Sequence, residues 1–462
     1  MTLTGYWLLL AAIPVLMLGE WLSRRVGVLK RAHIPPPVIG GLIVAIVVLC
    51  VNHFQLARIV VNAKVNDRWW TWLTSTEIEW LKNPAPSVDV HTPLLIAFFT
   101  CIGLNASWAV AKKGSWQLLI YLLIATLFVF VQNGTGVALA KLMGESPLLG
   151  LQCGGVSLMG GFGTAAGFSK TMEEAGLANA ALIGTAAAAF GVVAGSLMGG
   201  PFGRWLMENR VHRTKLAPSS APLEPVVPAG VPGEHMLTSR DPALNNNLTT
   251  DPTFTDPPDA PETFFGEIRS LARQWPTLLL HLLVLGFCIK AGAWVSYWMV
   301  QQGATFPVYI GAMLVGVTLR NAHDFSGRTI ISSEFVDRIA SVCLGWMLAT
   351  IMIGLRLGEL LNSAGPMLVI LVAQIIVMMA FAYFVVFRVM GKDYEAATMS
   401  VGMIGFGLGA TSNAVATMKQ MTRAYGPAPR AFLIVTVVGA FLIDFTNSIV
   451  IILFINFLKL PG

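Results

Sequence analysis

The chain has 462 residues, of which 55% are hydrophobic and only 12% charged, with a formal net charge of +6. A soluble domain carries about 25% charged residues, so an ordinary soluble enzyme, a nucleic-acid binder and a disordered regulator are excluded. The class that remains is an all-α polytopic membrane protein.

Apolar runs of about 20 residues cross roughly 30 Å of hydrocarbon as a helix. In chain order they fall at 5–23, 35–52, 92–111, 115–143, 178–207, 277–300, 306–320, 336–361, 366–388 and 430–458. The first lacks the charged start of a signal peptide and reads as a span. The loop 53–90 carries Trp69, Trp70, Trp72 and Trp80, and its stretch 67–82 mixes tryptophans with charges, as a helix lying at the interface does. Cys50, Cys101, Cys153, Cys288 and Cys343 lie in apolar stretches and read as buried thiols. Residues 211–263 hold 10 of the 25 prolines and few large apolar side chains, the composition of a disordered linker. Arg24, Arg25, Lys112, Lys113, Arg320, Arg328, Arg388 and Lys392 fall in alternate loops. The positive-inside rule places those loops and the linker in the cytoplasm, and both termini outside.

The halves on either side of the linker, 1–210 and 264–462, resemble each other. Pro37-Val38-Ile39-Gly40 opens span two, and Pro307-Val308-Tyr309-Ile310-Gly311 opens span seven. Ile102-Gly103-Leu104 precedes Gly114 as Ile353-Gly354-Leu355 precedes Gly365. Each unit has an odd number of spans, five, so the second sits upside down. The expectation is two inverted-topology repeats, the usual build of a secondary transporter.

Two further stretches, 148–175 and 395–424, are interrupted by glycines. In Gly154–Thr164 each glycine costs about 1 kcal/mol relative to alanine in a helix. Too few helical residues remain to span the bilayer at 1.5 Å each, and a re-entrant hairpin fits. The segment 402–413 repeats the pattern in the second half. Tips entering from opposite sides offer helix N-termini to an anion and free carbonyls to a sodium ion. The expected substrate contacts are Ser157, Gly161, Phe162, Gly163, Thr164, Gly407, Gly409, Thr411, Ser412 and Asn413. The plainer alternative is that these glycines serve only close helix packing.

Asp444 and Asn447 lie inside an apolar span, three apart on one helix face. An ionised carboxylate at that depth costs about 3 kcal/mol or more unless partnered, and a hard cation with oxygen ligands is a suitable partner. Arg356 or a hairpin backbone is the alternative partner. Gln132 and Asn133 in span four either touch a hairpin tip, as part of the cation site, or glue helices together. Metalloprotease and phosphate-loop motifs are absent from the sequence.

The stretches Ile34–Gly41, Ala97–Ala106, Gln132-Asn133, Gly160–Thr164, Gly405–Thr411 and Gly439–Asp444 with Asn447 together resemble the bacterial sodium:glutamate symporter family. The likeness covers nearly the whole chain except the linker. It implies a homodimer in the bacterial inner membrane, in contact with lipid, that imports L-glutamate with co-transported sodium. It also implies an elevator-type movement of a transport domain against a fixed scaffold, in a fold similar to the citrate-type 2-hydroxycarboxylate transporters. The chain departs from the family pattern at Met159, Phe162, Met403, Ile404 and Ser412-Asn413, where polar or proline residues are usual. Those departures bear on the exact substrate. The rival readings are a sodium- or proton-coupled carrier of another dicarboxylate or organic anion, and an ion channel.

Overall fold

The computed structural model describes residues 2–26, 36–54, 60–65, 67–82, 88–107, 116–211, 264–301, 309–326, 331–354, 357–409 and 411–459. The first half begins with β1 (Thr2–Thr4), α1 (Gly5–Arg25) and α2 (Pro36–His53). The following loop contains β2 (Val60–Asn62), β3 (Lys64–Val65), α3 (Arg68–Thr71), α4 (Glu77–Lys82) and β4 (Val88–Asp89). Next come α5 (Thr92–Asn105), α6 (Trp116–Leu142), α7 (Pro147–Leu151), a π-helical turn (Gln152–Val156), α8 (Gly161–Glu174) and α9 (Ala180–Asn209).

The second half holds α10 (Phe264–Arg273), α11 (Trp275–Gln301), α12 (Tyr309–Phe325) and α13 (Ser333–Ile353). α14 (Leu357–Phe381) continues into a π-helical segment (Ala382–Phe387), followed by α15 (Tyr394–Leu408) and α16 (Thr411–Tyr425). The chain closes with α17 (Pro429–Val437), a π-helical turn (Val438–Leu442) and α18 (Ile443–Lys459). Among the described residues, six helices are long and apolar enough to cross a membrane, and three shorter apolar helices accompany them. The all-α polytopic class is therefore correct.

Several boundaries differ from the sequence reading. The expected span 336–361 ends at Ile353, where the Gly354 N–H turns back to Ile351 and Met352 carbonyls. Residues 357–361 belong to the next helix, which accommodates Pro366 in its interior. The apolar run 339–355 passes through this turn and hid it. The expected interfacial helix 67–82 is two short helices, separated by a turn in which Ser75 Oγ bonds the Thr71 carbonyl at 2.7 Å. Cys50 is exposed rather than buried, unlike the other four cysteines. The amphipathic helix α10 and the strands were not anticipated. Beyond Val211, the linker lies outside the described residues, as do Arg356 and residues 108–115.

The loop after α2 is clasped to the helices. β1 pairs parallel with β2, and β3 pairs antiparallel with β4. Tyr6 stacks on Trp69 and donates to Asp67 Oδ2 at 2.7 Å. Lys290 of α11 lies 4.8 Å from the Trp72 ring centre, donates to the Trp72 and Ser75 carbonyls and pairs with Glu77 at 3.0 Å. Glu20 and Arg24 form an ion pair at 2.7 Å.

The helices sort into two bundles, each drawn from both halves of the sequence. In the first, α1, α2, α5, α11, α12 and α13 pack together, with α10 against α13. In the second, α6, α9, α14 and α17–α18 enclose the segments α7–α8 and α15–α16. The bundles meet where α8 crosses α5 and α12. A Cβ at Gly163 would sit 2.5 Å from Phe98 Cε1, and one at Gly167 would sit 2.5 Å from Tyr309 Cε1. Behind that contact Phe99 and Tyr309 stack with ring centres 3.8 Å apart.

Candidate functional site

The two interrupted segments are helix–break–helix hairpins whose tips meet. In the first, α7 loosens into a π-helical turn, and Gly154 breaks the helical path at φ −103° and ψ −131°. The chain turns through Ser157–Gly160, and α8 starts at Gly161 with φ +62°. That left-handed conformation costs an L-residue roughly 1–2 kcal/mol and suits glycine. In the second hairpin, α15 ends at Gly409 and α16 begins at Thr411. A Cβ on Gly161 would lie 3.2 Å from the Gly409 carbonyl oxygen, so the tips press against each other.

Both hairpins are enclosed by protein. Apart from half-buried Gly160, residues 148–169 are buried, and so are residues 396–409. Irregular backbone in a membrane protein requires this, because lipid cannot satisfy free N–H and C=O groups. A close approach helps seat the second hairpin: a Cβ on Gly191 of α9 would fall 2.0 Å from the Leu408 carbonyl oxygen.

Amide side chains hold the broken backbone. Asn133 Oδ1 accepts the Gly155 N–H at 2.7 Å, and Asn447 Nδ2 donates to the Gly155 carbonyl at 3.0 Å. One peptide residue is thus gripped from α6 and from α18. Gln132 Nε2 donates to the Gly407 carbonyl at 3.0 Å, so adjacent residues of α6 serve both hairpins. Gln374 Nε2 donates to the Gln132 carbonyl at 2.7 Å, and Gln152 Nε2 donates to the Ala180 carbonyl at 2.9 Å. In the second hairpin Asn413 Nδ2 donates to the Val192 carbonyl at 2.9 Å, and Thr411 Oγ1 to the Gly439 carbonyl at 2.5 Å. Gly439 lies in the π-helical turn just ahead of Asp444.

Several oxygens in this region have no hydrogen-bond partner among the described residues. They are Gln132 Oε1, Gln152 Oε1, Ser157 Oγ, Gln374 Oε1 and Asn447 Oδ1, all on fully buried residues. A buried polar atom left unpaired costs about 1–3 kcal/mol. Amide oxygens accept and cannot donate, so what completes them is a donor or a cation. Asp444 is half-buried, and its carboxylate has no ion pair or hydrogen bond among the described residues.

The remaining expected residues fall around the same junction. Thr164 is buried and packs over Gly160, while Phe162 is buried in the first turn of α8. Gly163 faces Phe98 and the bundle boundary rather than the second hairpin. Gly407 faces Met378, with Met159 just beyond, and Gly409 faces Asn413 and Val192. Ser412 lies in the first turn of α16, and its side chain lies outside the description. Gln152 and Gln374 were missed. The signal available was a lone amide in an apolar run, the same signal that exposed Gln132 and Asn133.

Whole-chain comparisons give relatives. The family described as Sodium/glutamate symporter matches residues 1–76, 81–224 and 263–427. The sodium/glutamate symporter of Escherichia coli (strain K12) is 34% identical over 448 residues, covering 97% of this chain and 96% of its own length. The protein of the same name from Shigella flexneri has the same identity and coverage. The one from Haemophilus influenzae is 32% identical over the same shares. No solved structure matches.

Proposed function

This chain belongs to the sodium/glutamate symporter family, and on that basis we propose that it is a secondary carrier importing L-glutamate with sodium. The observation that carries the reading is the junction of the hairpin tips: one residue, Gly155, gripped by Asn133 and Asn447 beside buried oxygens that lack donors among the described residues. A sodium ion takes oxygen ligands. Asp444, Asn447 Oδ1 and Gln132 Oε1 are its candidate ligands. Asn133 spends its oxygen on Gly155 and acts by positioning that peptide. Glutamate carries two carboxylates. The N-termini of α8 and α16 present free N–H groups and the positive end of the helix dipole. Ser157, Thr164, Thr411 and Asn413 border them. The tips must part at Gly161 and Gly409 to admit substrate.

Coupling is energetically adequate. A tenfold sodium gradient contributes about 1.4 kcal/mol per ion, and each net positive charge carried adds about 2.3 kcal/mol per 100 mV. The carrier is an elevator: the hairpin-bearing bundle moves against the other, across the ring-on-glycine contacts of Phe98 and Tyr309 with α8. The order of motifs supports two inverted repeats, and the basic loops support external termini with a cytoplasmic linker. A homodimer in the bacterial inner membrane completes the reading.

Liposomes containing the purified protein test it. Radiolabelled L-glutamate should accumulate with an inward sodium gradient and not with choline. Accumulation against a gradient rules out a channel. Flux independent of sodium would overturn the coupling. A second reading, another anionic substrate, is favoured by the burial of Met159, Phe162, Met403 and Ile404 in the hairpins. Competition by dicarboxylates in the same liposomes decides between them.

A further inference from the structure

The second bundle carries a groove of about 390 Å³ on its outer surface, between the end of α9 and the end of α14. Pro201, Phe202, Trp205, Met379, Tyr383 and Phe384 line it. Its shape follows from two irregularities. Pro201 sits inside α9, where it cannot donate to the preceding turn, and α14 widens into a π-helical segment from Ala382. Trp205 is 40% exposed and Phe384 57% exposed, so aromatic surface is open along the groove.

Two arginines close one end. The guanidiniums of Arg210 and Arg388 each lie 5.4 Å from the centre of the Tyr383 ring. Arg388 also lies 5.1 Å from the Phe384 ring centre, and Arg210 lies 5.9 Å from that of Trp205. Among the described residues neither arginine has a carboxylate within ion-pairing distance. Two like charges are thus held on one aromatic ring with no anion between them. The cation–π contacts orient them but do not neutralise them.

We propose that this groove binds an anionic phospholipid, with its phosphate between Arg210 and Arg388 and an acyl chain against Trp205, Pro201 and Phe384. An apolar channel ending in a pair of arginines matches a lipid that ends in a phosphodiester, which arginine chelates through paired N–H donors. Basic pockets between membrane helices on the cytoplasmic side recognise anionic headgroups in this way. The basic residues Arg388 and Lys392 assign this end to that side. α9 also bears Val192, the acceptor for Asn413 in the second hairpin, so the lipid occupies a helix that holds a hairpin tip.

Native mass spectrometry after exchange into phosphatidylcholine, with and without phosphatidylglycerol, tests this without any transport readout. The intact chain should retain phosphatidylglycerol in preference to phosphatidylcholine. The double variant Arg210→Gln, Arg388→Gln should bind it about thirtyfold more weakly. Equal retention of both lipids, or unchanged affinity in the variant, overturns the proposal. Replacing Phe384 by a photo-crosslinking residue gives an independent reading. A lipid adduct supports the site, whereas a covalent chain dimer shows that a second copy covers the groove and overturns it.

Discussion

Asn447 provides the sharpest test of the hairpin junction. Its Nδ2 donates to the Gly155 carbonyl at 3.0 Å, while its Oδ1 is buried without a partner among the described residues. Asn447→Leu removes both atoms. Losing the donor leaves the Gly155 carbonyl with the Gly160 N–H alone, at 3.0 Å, and the lost hydrogen bond costs about 0.5–1.5 kcal/mol. Losing the orphaned oxygen relieves a penalty of similar size in the sodium-free protein. The two effects offset, so stability in choline should change little. With sodium the balance differs, because the lost oxygen is then a lost ligand. A deficit of about 1–3 kcal/mol on binding weakens apparent sodium affinity roughly 5- to 150-fold. Thermal unfolding of the purified protein, titrated with sodium against choline at constant ionic strength, measures both limbs. A sodium-dependent rise in melting temperature identical to that of the unmodified protein would refute the ligand role. A large loss of stability in choline would show that the clamp on Gly155 outweighs the relief from the orphaned oxygen, and would refute the offset.

Other perturbations separate the remaining parts. Asp444→Asn should leave a folded protein and abolish sodium-driven uptake in liposomes; unchanged sodium affinity and rate would remove Asp444 from the cation site. Gly191→Ala places a methyl 2.0 Å from the Leu408 carbonyl oxygen. It should destabilise the protein by about 1–3 kcal/mol through overpacking, read as a lowered melting temperature and slower uptake. Glu267, on α10, is desolvated by burial, which pushes its carboxyl from the ordinary 4.5 up to about 7 despite Arg338 nearby. The folded protein then holds the proton more tightly than the unfolded chain, so this group lowers stability as pH rises from about 4.5 to about 7. Glu267→Gln should flatten the pH dependence of melting in that window; an unaltered profile would show that Glu267 does not contribute.

Hydropathy and glycine placement are local properties, and the sequence reading succeeded where local chemistry decides. Spans such as α6 and α9 were located to within a few residues, because only helices of sufficient apolar length satisfy the bilayer. The first break falls at the Gly154-Gly155 and Gly160-Gly161 pairs that marked it in the sequence, whereas α15 runs through Gly402, Gly405 and Gly407 and breaks only after Leu408. Asp444, Asn447, Gln132 and Asn133 stood out because a polar group in an apolar run needs a partner. The turn at Gly354 did not stand out, since one glycine within an apolar run is compatible with a continuous helix.

What only the tertiary structure decided is the identity of those partners. No local rule says that Asn133 and Asn447 would take the N–H and the C=O of one residue, Gly155, or that Gln132 would reach Gly407, 275 residues away. Nor does sequence place Arg210 and Arg388 on opposite helices against one Tyr383 ring. A side chain's need for a hydrogen bond or counter-charge is written in its own chemistry. The atom that meets the need depends on which helices pack together, and packing depends on the shape of the whole chain.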